Sequence, residues 1–129
     1  MAGGFTLVEL LITVAILGVV SAVAIPSYLG VVDRTDRKAK VAEVIGLAKE
    51  CAAANAGGSD GPGIVISDPR TGRPVICGGD PRRRWRKNIK SQKFAKRGPV
   101  DCLGQNFANA GSVWVRVEDD GRMRCIRRN

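Results

Sequence analysis

The sequence has no histidine, and phenylalanine, tryptophan and tyrosine together make up only 5% of its 129 residues. The lack of histidine removes the commonest general base and the usual nitrogen ligand of zinc. Catalytic sequences such as Gly-x-Ser-x-Gly, a phosphate-binding loop or a suitably spaced carboxylate pair are missing as well. We therefore expect that the protein is not an enzyme and that it holds no cofactor and no metal.

Charge is missing from a long stretch near the N-terminus, because no charged residue occurs between Leu10 and Val32. As a helix, this stretch would be about 35 Å long, which exceeds the roughly 30 Å of a bilayer core. Glu9 is the one charged residue between Phe5 and Val32. Since a carboxylate is costly in lipid unless it has a partner or a function, the stretch predicts a membrane-spanning helix with a specific role for this acid.

The residues at the start of this stretch form a specific sequence motif. Gly4–Leu11 reads GFTLVELL, and the apolar segment after it is interrupted by the helix-breaking residues Gly18 and Pro26. Over about its first 28 residues the chain thereby resembles a type IV pilin precursor. In that family a membrane-embedded prepilin peptidase cuts after the glycine, and the new amino terminus is methylated. The resemblance implies cleavage between Gly4 and Phe5 and N-methylation of Phe5.

The resemblance also implies roles for the leader and for Glu9. Residues 1–4 become the prepilin leader, and because this leader lacks the family's usual basic residue, we expect an upstream start or another means of orientation. Glu9 becomes the assembly charge, which pairs with the Phe5 ammonium of a neighbouring subunit in an apolar filament core and fixes the register. The alternative is a carboxylate at the headgroup boundary that the helix macrodipole favours.

The rest of the chain predicts a helix continuation and a small head. Residues 5–32 form the apolar assembly helix, and residues 33–54 continue it with apolar residues at helical spacing, namely Val41, Val44, Ile45, Ala48 and Cys51. Glycine and proline end the helix in the stretch that follows. Residues 55–129 are then the disulfide-stapled globular head.

Two β-hairpins are predicted in the head, with strands at 63–67 and 74–78 and at 112–118 and 122–127. Val113, Val115 and Val117 should share one face of the second hairpin. The region 79–110 has weak periodicity and gives no clear strand. The predicted fold class is α+β, with a long N-terminal helix packed on a small antiparallel sheet, as in pilins. Adjacent Asp119 and Asp120 resemble a Ca²⁺ site of pseudopilins, but a plain turn is favoured.

The four cysteines lie outside the apolar stretch and show no Cys-x-x-Cys spacing. This favours two disulfides formed in an oxidising compartment over an all-thiolate metal site. Four cysteines allow three pairings. We favour Cys51–Cys77 and Cys102–Cys125, because each would staple neighbouring elements and contribute roughly 2–4 kcal/mol.

Positive charge is concentrated in the C-terminal half. The net charge is +9, and residues 61–129 hold sixteen basic and six acidic residues. Within residues 82–97 nine side chains are basic and none is acidic. Because cations neutralise phosphates and aromatic rings stack on bases, this segment is a candidate polyanion-binding site. Its candidate residues are Arg82, Arg83, Arg84, Trp85, Arg86, Lys87, Lys90, Lys93, Lys96 and Arg97, with Phe94 as a second aromatic ring.

Three hypotheses follow for this basic segment: it binds DNA, it binds another polyanion or an anionic surface, or it is a solvated face that meets acidic groups of adjacent subunits. Pilins of transformable bacteria are thought to catch DNA with such surfaces, so the resemblance favours DNA uptake as a hypothesis. If the segment were helical, Lys90, Lys93 and Lys96 or Arg97 would lie on one face.

The sequence thus predicts a structural subunit of a type IV pilus or pilus-like filament, which polymerises through its N-terminal helix. We expect a precursor in the inner (cytoplasmic) membrane and then an extracellular filament on the cell surface. The expected partners are other pilin subunits, prepilin peptidase and DNA or anionic surfaces. The alternatives are a type II secretion pseudopilin, a non-polymerising membrane anchor, and a secreted polyanion-binding domain released by signal peptidase after Ala24.

Overall fold

The computed structural model describes residues 3–57, 63–79 and 86–129. These residues form a single helix and seven strands: α1 (Leu7–Ala56), β1 (Ile64–Ser67), β2 (Pro74–Cys77), β3 (Lys87–Lys90), β4 (Gly98–Cys102), β5 (Gln105–Ala110), β6 (Ser112–Val117) and β7 (Met123–Arg128). The chain divides into two compact units, Met1–Asp33 and Arg34–Asn129. A long N-terminal helix packed on small antiparallel sheets is a pilin-like α+β architecture, which confirms the predicted fold class.

The first unit contains the apolar part of α1. Its large apolar side chains are exposed all along the helix, from Phe5 to Val32. The helix is long and apolar enough to cross a membrane by length and composition, and this stretch lies near the N-terminus. The predicted interruptions do not end the helix, which continues through both Gly18 and Pro26.

The core of the second unit lies between the end of α1 and the sheets. The apolar stripe predicted for the second half of the helix is confirmed, since four of its five residues are buried and Ile45 packs against them. The fully buried apolar side chains at the centre of the core are Val44, Ala48, Ile89, Val113, Val115 and Val117. Because each such valine or isoleucine contributes about 1.5–3 kcal/mol when it leaves water, these contacts hold the helix on the strands.

All strand pairs are antiparallel. The described strands form a two-stranded β1-β2 sheet, a three-stranded sheet in the order β3-β6-β7, and a two-stranded β4-β5 sheet. The hairpins β1-β2 and β6-β7 confirm the two predicted from the sequence, and the three valines of β6 do share the core face. The strands β3, β4 and β5 lie in the region that gave no clear prediction.

The last turn of α1 is tied to two strand ends by Asn55. Its side-chain amide is 1% exposed, donates from Nδ2 to the Glu118 carbonyl at 3.0 Å and accepts the Gly78 N–H on Oδ1 at 2.8 Å. Gly78 has φ +73°, and a Cβ there would lie 2.6 Å from the carbonyl oxygen of Ala54. The sequence predicted a helix end at Ala54, and these contacts explain why the helix continues to Ala56 instead.

Two disulfides close the second unit. Cys51 on α1 pairs with Cys77 on β2, with Cα atoms 5.1 Å apart, and Cys102 on β4 pairs with Cys125 on β7, with Cα atoms 6.1 Å apart. These are the two pairs favoured from the sequence. They close loops of 26 and 23 residues, and in the chain-entropy account each such loop contributes roughly 3.5 kcal/mol.

Polar side chains of α1 hold segment 93–99, which is irregular up to Arg97 and then enters β4, against the helix. Lys40 Nζ donates to a carbonyl of this segment at 2.8 Å, and Asp36 accepts the Ala95 N–H at 2.9 Å. Arg37, which is buried, donates to two further carbonyls. The Ala95 N–H, followed by Lys40, holds the pKa of Asp36 below its ordinary value of 3.8. Segment 93–99 is therefore fixed by side-chain to backbone hydrogen bonds.

Candidate assembly site and basic sheet face

The N-terminus of α1 is closed by a reciprocal pair of hydrogen bonds. The Thr6 N–H donates to Glu9 Oε2 at 3.0 Å, and the Glu9 N–H donates to Thr6 Oγ1 at 3.2 Å. This is a capping box, in which the first and fourth residues satisfy each other's free amides. The sequence predicted a helix start at Phe5, and the capping box explains why the helix begins at Leu7 instead. The sequence Thr-x-x-Glu is the signal for it, and our sequence reasoning did not use it.

The capping box also fixes where the Glu9 carboxylate lies. Its Oε2 accepts one hydrogen bond, and a carboxylate has about four lone-pair positions, so the group retains capacity for a second donor. The Glu9 side chain is therefore oriented by its own subunit before any partner is present. Both interpretations from the sequence, a cap at the helix start and a charge with a partner, are chemically compatible.

The structure describes only part of the predicted basic segment. Arg82, Arg83, Arg84 and Trp85 lie outside the described residues. From Arg86 onward the segment is a strand followed by irregular backbone, so the condition under which Lys90, Lys93 and Lys96 or Arg97 would share a helical face is not met. The reason is Ile89, which is fully buried in the core and keeps residues 87–90 in the sheet beside β6.

The second aromatic ring of that segment is not available to a ligand. Phe94 is buried in the core, and its N–H donates to the Gly111 carbonyl at 2.9 Å. The interpretation of Phe94 as a stacking platform is therefore wrong, because its ring packs inside the protein. Lys93, Lys96 and Arg97 are exposed on the irregular segment.

A different cationic surface is formed by the three-stranded sheet. Residues directly opposite one another in an antiparallel pair point to the same side. The registers of β3, β6 and β7 therefore place the even-numbered residues on the side away from the buried valines. We call this side the outer face; its strand residues include Asn88, Lys90, Trp114, Arg116, Arg124, Ile126 and Arg128. Arg86, Glu118 and Arg122 lie just outside these strands and line one depression with Arg116 and Arg124, so we count them with the outer face.

Trp114 lies at one end of the outer face, between two cations. Lys90 Nζ lies 4.9 Å from the centroid of its ring, and the guanidinium carbon of Arg128 lies 4.2 Å from it. Both distances are in the range of cation–π attraction. The indole Nε1–H is buried and has no acceptor among the described residues. Our sequence reasoning missed Trp114, because it lies outside the basic segment.

The other end of the outer face contains the carboxylates. Arg86 Nε lies 2.9 Å from Glu118 Oε2, and Arg122 Nε lies 2.6 Å from Asp120 Oδ2. The backbone N–H and the guanidinium of Arg122 hold the pKa of Asp120 below its ordinary value. A depression of about 350 Å³ opens here, and the side chains that line it are Arg86, Arg116, Glu118, Arg122, Met123 and Arg124.

Four cations of the outer face have no carboxylate partner among the residues that the structure describes: Lys90, Arg116, Arg124 and Arg128. Arg116 is oriented by a hydrogen bond from its Nε to Asn88 Oδ1 at 3.2 Å. The face therefore combines uncompensated positive charge with neighbours that fix the direction of individual side chains.

The comparison with known protein families agrees with the N-terminal geometry. Residues 1–25 match the family model described as the prokaryotic N-terminal methylation motif. The chain carries a prepilin-type signature. This signature supports a type IV pilin-like or pseudopilin-like subunit and implies processing by prepilin peptidase. Neither a curated protein nor a solved structure matches the chain.

The prepilin-type signature covers only the first 25 residues, so the turn at Asp119 and Asp120 has to be judged on its own geometry. The Asp120 carboxylate accepts the Arg122 N–H at 3.0 Å and pairs with the Arg122 guanidinium, while Asp119 is exposed. Within the described ranges, the structure has no group of three or more Cys, Asp or Glu side chains able to hold a metal ion. Asp120 thus acts within the β6-β7 turn.

Proposed function

We propose that this protein is a subunit of a type IV pilus or pilus-like filament and that it polymerises through residues 5–32. The single observation that carries the proposal is the N-terminal methylation motif on a helix whose apolar side chains are exposed along its whole first unit. Exposed apolar surface of this extent needs either lipid or other protein to cover it. Lipid covers it in the precursor, and neighbouring helices cover it in the filament.

Glu9 is the residue we assign to subunit pairing. In an apolar bundle an unpaired carboxylate would cost several kcal/mol, so pairing with the new N-terminal ammonium of a neighbouring Phe5 favours one axial position. The capping box supports this role, because it holds the carboxylate in place while leaving it capacity for a second donor. Cleavage after Gly4 and methylation of Phe5 are part of the same proposal.

The first experiment compares Glu9→Ala with Glu9→Gln in the cell that makes the protein. Glutamine keeps the capping box but removes the charge, whereas alanine removes both. We expect both variants to remain in the membrane and to be processed, and both to yield at least roughly tenfold fewer filaments in sheared surface fractions, because breaking a buried pair costs about 3–5 kcal/mol.

The control is Glu43→Gln, which makes the same change at an exposed position of the same helix. It should assemble as the wild type does. If Glu9→Gln also assembles normally while Glu9→Ala fails, the carboxylate acts only as a helix cap and the charge-pairing role is wrong. If all three variants assemble, the proposal that Glu9 drives polymerisation is wrong.

A second experiment determines the N-terminus of the mature protein by mass spectrometry. An N-methylated Phe5 supports pilin-type processing, and we expect this result. A chain beginning at Ile25 would instead support the secreted soluble domain, and an uncut chain would support a permanent membrane anchor. Imaging of the surface fraction then separates a pilus on the cell surface from a pseudopilus of a type II secretion system.

We also propose that the head binds nucleic acid, which would suit a subunit engaged in DNA uptake. The surplus of ten positive charges in residues 61–129 supports this, since such a surplus attracts polyanions in a salt-dependent way. The test is retention of duplex or single-stranded DNA by the purified chain at low salt and its loss at high salt. No retention at low salt would contradict the proposal, and the filament role would be unaffected.

A further inference from the structure

We propose that the outer face of the three-stranded sheet is the DNA-binding surface, and that Trp114 positions Lys90 and Arg128 to contact backbone phosphates. This inference rests on the proposed nucleic-acid role of the head and specifies where it takes place. It differs from the basic segment suggested by the sequence, because three of its six cations, Arg116, Arg124 and Arg128, come from β6 and β7.

The positive charge of the outer face is the first observation that supports DNA binding there. This face carries six cations; Glu118 is paired with Arg86, and Asp120 of the adjoining β6-β7 turn is paired with Arg122. The four cations without a carboxylate partner among the described residues remain free to neutralise an external anion. Three of these four are arginines, whose planar guanidinium matches the geometry of a phosphate.

The spacing of the cations favours an extended ligand. Arg124 and Arg128 are four residues apart on β7, which corresponds to about 13 Å along a strand, and neighbouring strands are about 4.8 Å apart. A single phosphate is too small to contact cations spread over this distance. A phosphodiester chain, which carries one charge per 3.4 Å of each strand of a duplex, offers phosphates along the whole row.

Trp114 supplies the pre-organisation. Long basic side chains lose about 2 kcal/mol of rotamer entropy when they are fixed, and this loss normally weakens binding. The ring of Trp114 attracts Lys90 and Arg128 before a ligand arrives, at 4.9 Å and 4.2 Å from its centroid. Asn88 does the same for Arg116 through its hydrogen bond. Trp114 is thus a positioning residue and not itself a contact to the bases.

This arrangement also predicts which form of DNA is bound. Proteins that prefer single strands stack unpaired bases on exposed aromatic rings. The ring of Trp114 is half-buried and is already in contact with two cations, so it leaves little free surface for a base. We therefore expect a duplex to bind at least as tightly as a single strand of the same length.

The experiment uses the full chain in non-ionic detergent and follows fluorescence anisotropy of a short labelled duplex over a series of salt concentrations. With four phosphate contacts, the slope of log K against log salt should be roughly −3.6 for duplex DNA, at about −0.9 for each contact. The double variant Arg116→Gln/Arg124→Gln should make this slope shallower by about 2. The matched control is Lys87→Gln/Arg127→Gln, which removes the same charge from β3 and β7 but on the opposite side of the sheet.

A second pair of variants tests the role of Trp114. Trp114→Leu should weaken duplex binding by roughly tenfold, because two cation–π contacts are lost, and Trp114→Phe should restore most of the affinity. The slope should stay unchanged in both, since no cation is removed. If Trp114 served only to pack on the sheet, the leucine and phenylalanine variants should bind duplex DNA with similar affinity.

Three outcomes would overturn the inference. If the control double variant weakens binding as much as the outer-face double variant, binding follows net charge and not this face. If polyglutamate competes as well as unlabelled duplex, the face does not select phosphate. If single strands bind much more tightly than duplex, stacking dominates and the positioning role of Trp114 is wrong. In each of these cases the wild type still binds a polyanion, whereas no binding at all contradicts the nucleic-acid role itself.

Discussion

Replacing Asn55 by alanine should clearly destabilise the head. Asn55 lies in the last turn of α1 and connects the helix to the ends of β2 and β6 through its two amide atoms. Alanine fits the helix and even has a higher helix propensity, so the local backbone has no reason to change. What is lost is the link between three elements.

The size of the effect follows from the two partners that remain. The Gly78 N–H is buried, and leaving it without an acceptor should lower the free energy of unfolding by about 1–3 kcal/mol. The Glu118 carbonyl belongs to a half-buried residue and can reach water, so its loss is closer to the usual 0.5–1.5 kcal/mol of a net hydrogen bond. We expect a total of roughly 2–4 kcal/mol, a large part of the 5–15 kcal/mol that typically holds a domain together.

The measurement is urea unfolding of the full chain in non-ionic detergent, followed by tryptophan fluorescence. Asn106→Ala serves as the control, because Asn106 is exposed and its amide makes one hydrogen bond, to Asp101 at 2.8 Å. The control should lie within about 0.5 kcal/mol of the wild type. If Asn55→Ala unfolds at the same urea concentration as the control, then the amide of Asn55 does not hold these elements together and our reasoning is wrong.

Three further predictions concern the head. Gly78→Ala should cost clearly more than Gly72→Ala in the same unfolding measurement: both residues have positive φ, but only Gly78 lies against the helix backbone. The double variant in which Cys102 and Cys125 are replaced by serine should lower the free energy of unfolding by roughly 2–4 kcal/mol. A reducing agent should then destabilise this variant only through the remaining Cys51–Cys77 disulfide. Asp36→Asn should be less stable than the wild type at neutral pH. The pKa of Asp36 in the folded protein lies below its ordinary 3.8. The loss of stability in Asp36→Asn should therefore be complete above pH 3.8 and should disappear as the pH falls through the folded-state pKa.

The predicted parts of the fold are those with a strong hydrophobic period. The β6-β7 hairpin was predictable because Val113, Val115 and Val117 alternate with outward residues and are all fully buried. The opposite holds for β5, where only the last of six residues, Ala110, is buried. A strand with so little burial has no alternating pattern to detect, which is why the region 79–110 gave no clear prediction.

The ends of α1 show how local and tertiary signals differ. The start at Leu7 could have been predicted, since Thr6 and Glu9 have the spacing of a capping box and make its two hydrogen bonds. The end at Ala56 could not, because Asn55 is a residue that usually favours helix termination. Its hydrogen bonds to backbone more than twenty residues away keep it helical, and no short window of sequence contains them.

The basic surface shows the same limit for function. A linear count finds the densest run of cations, but a sheet sends alternate residues to opposite sides, so Lys87 and Lys90 of one strand belong to different faces. Meanwhile, strands far apart in the sequence bring Arg116, Arg124 and Arg128 onto the face of Lys90. Charge that is moderate along the chain thereby becomes dense in space. Whether a cation lies on the outer face is decided by its position within a strand and by the order of the strands, and neither can be counted along the chain.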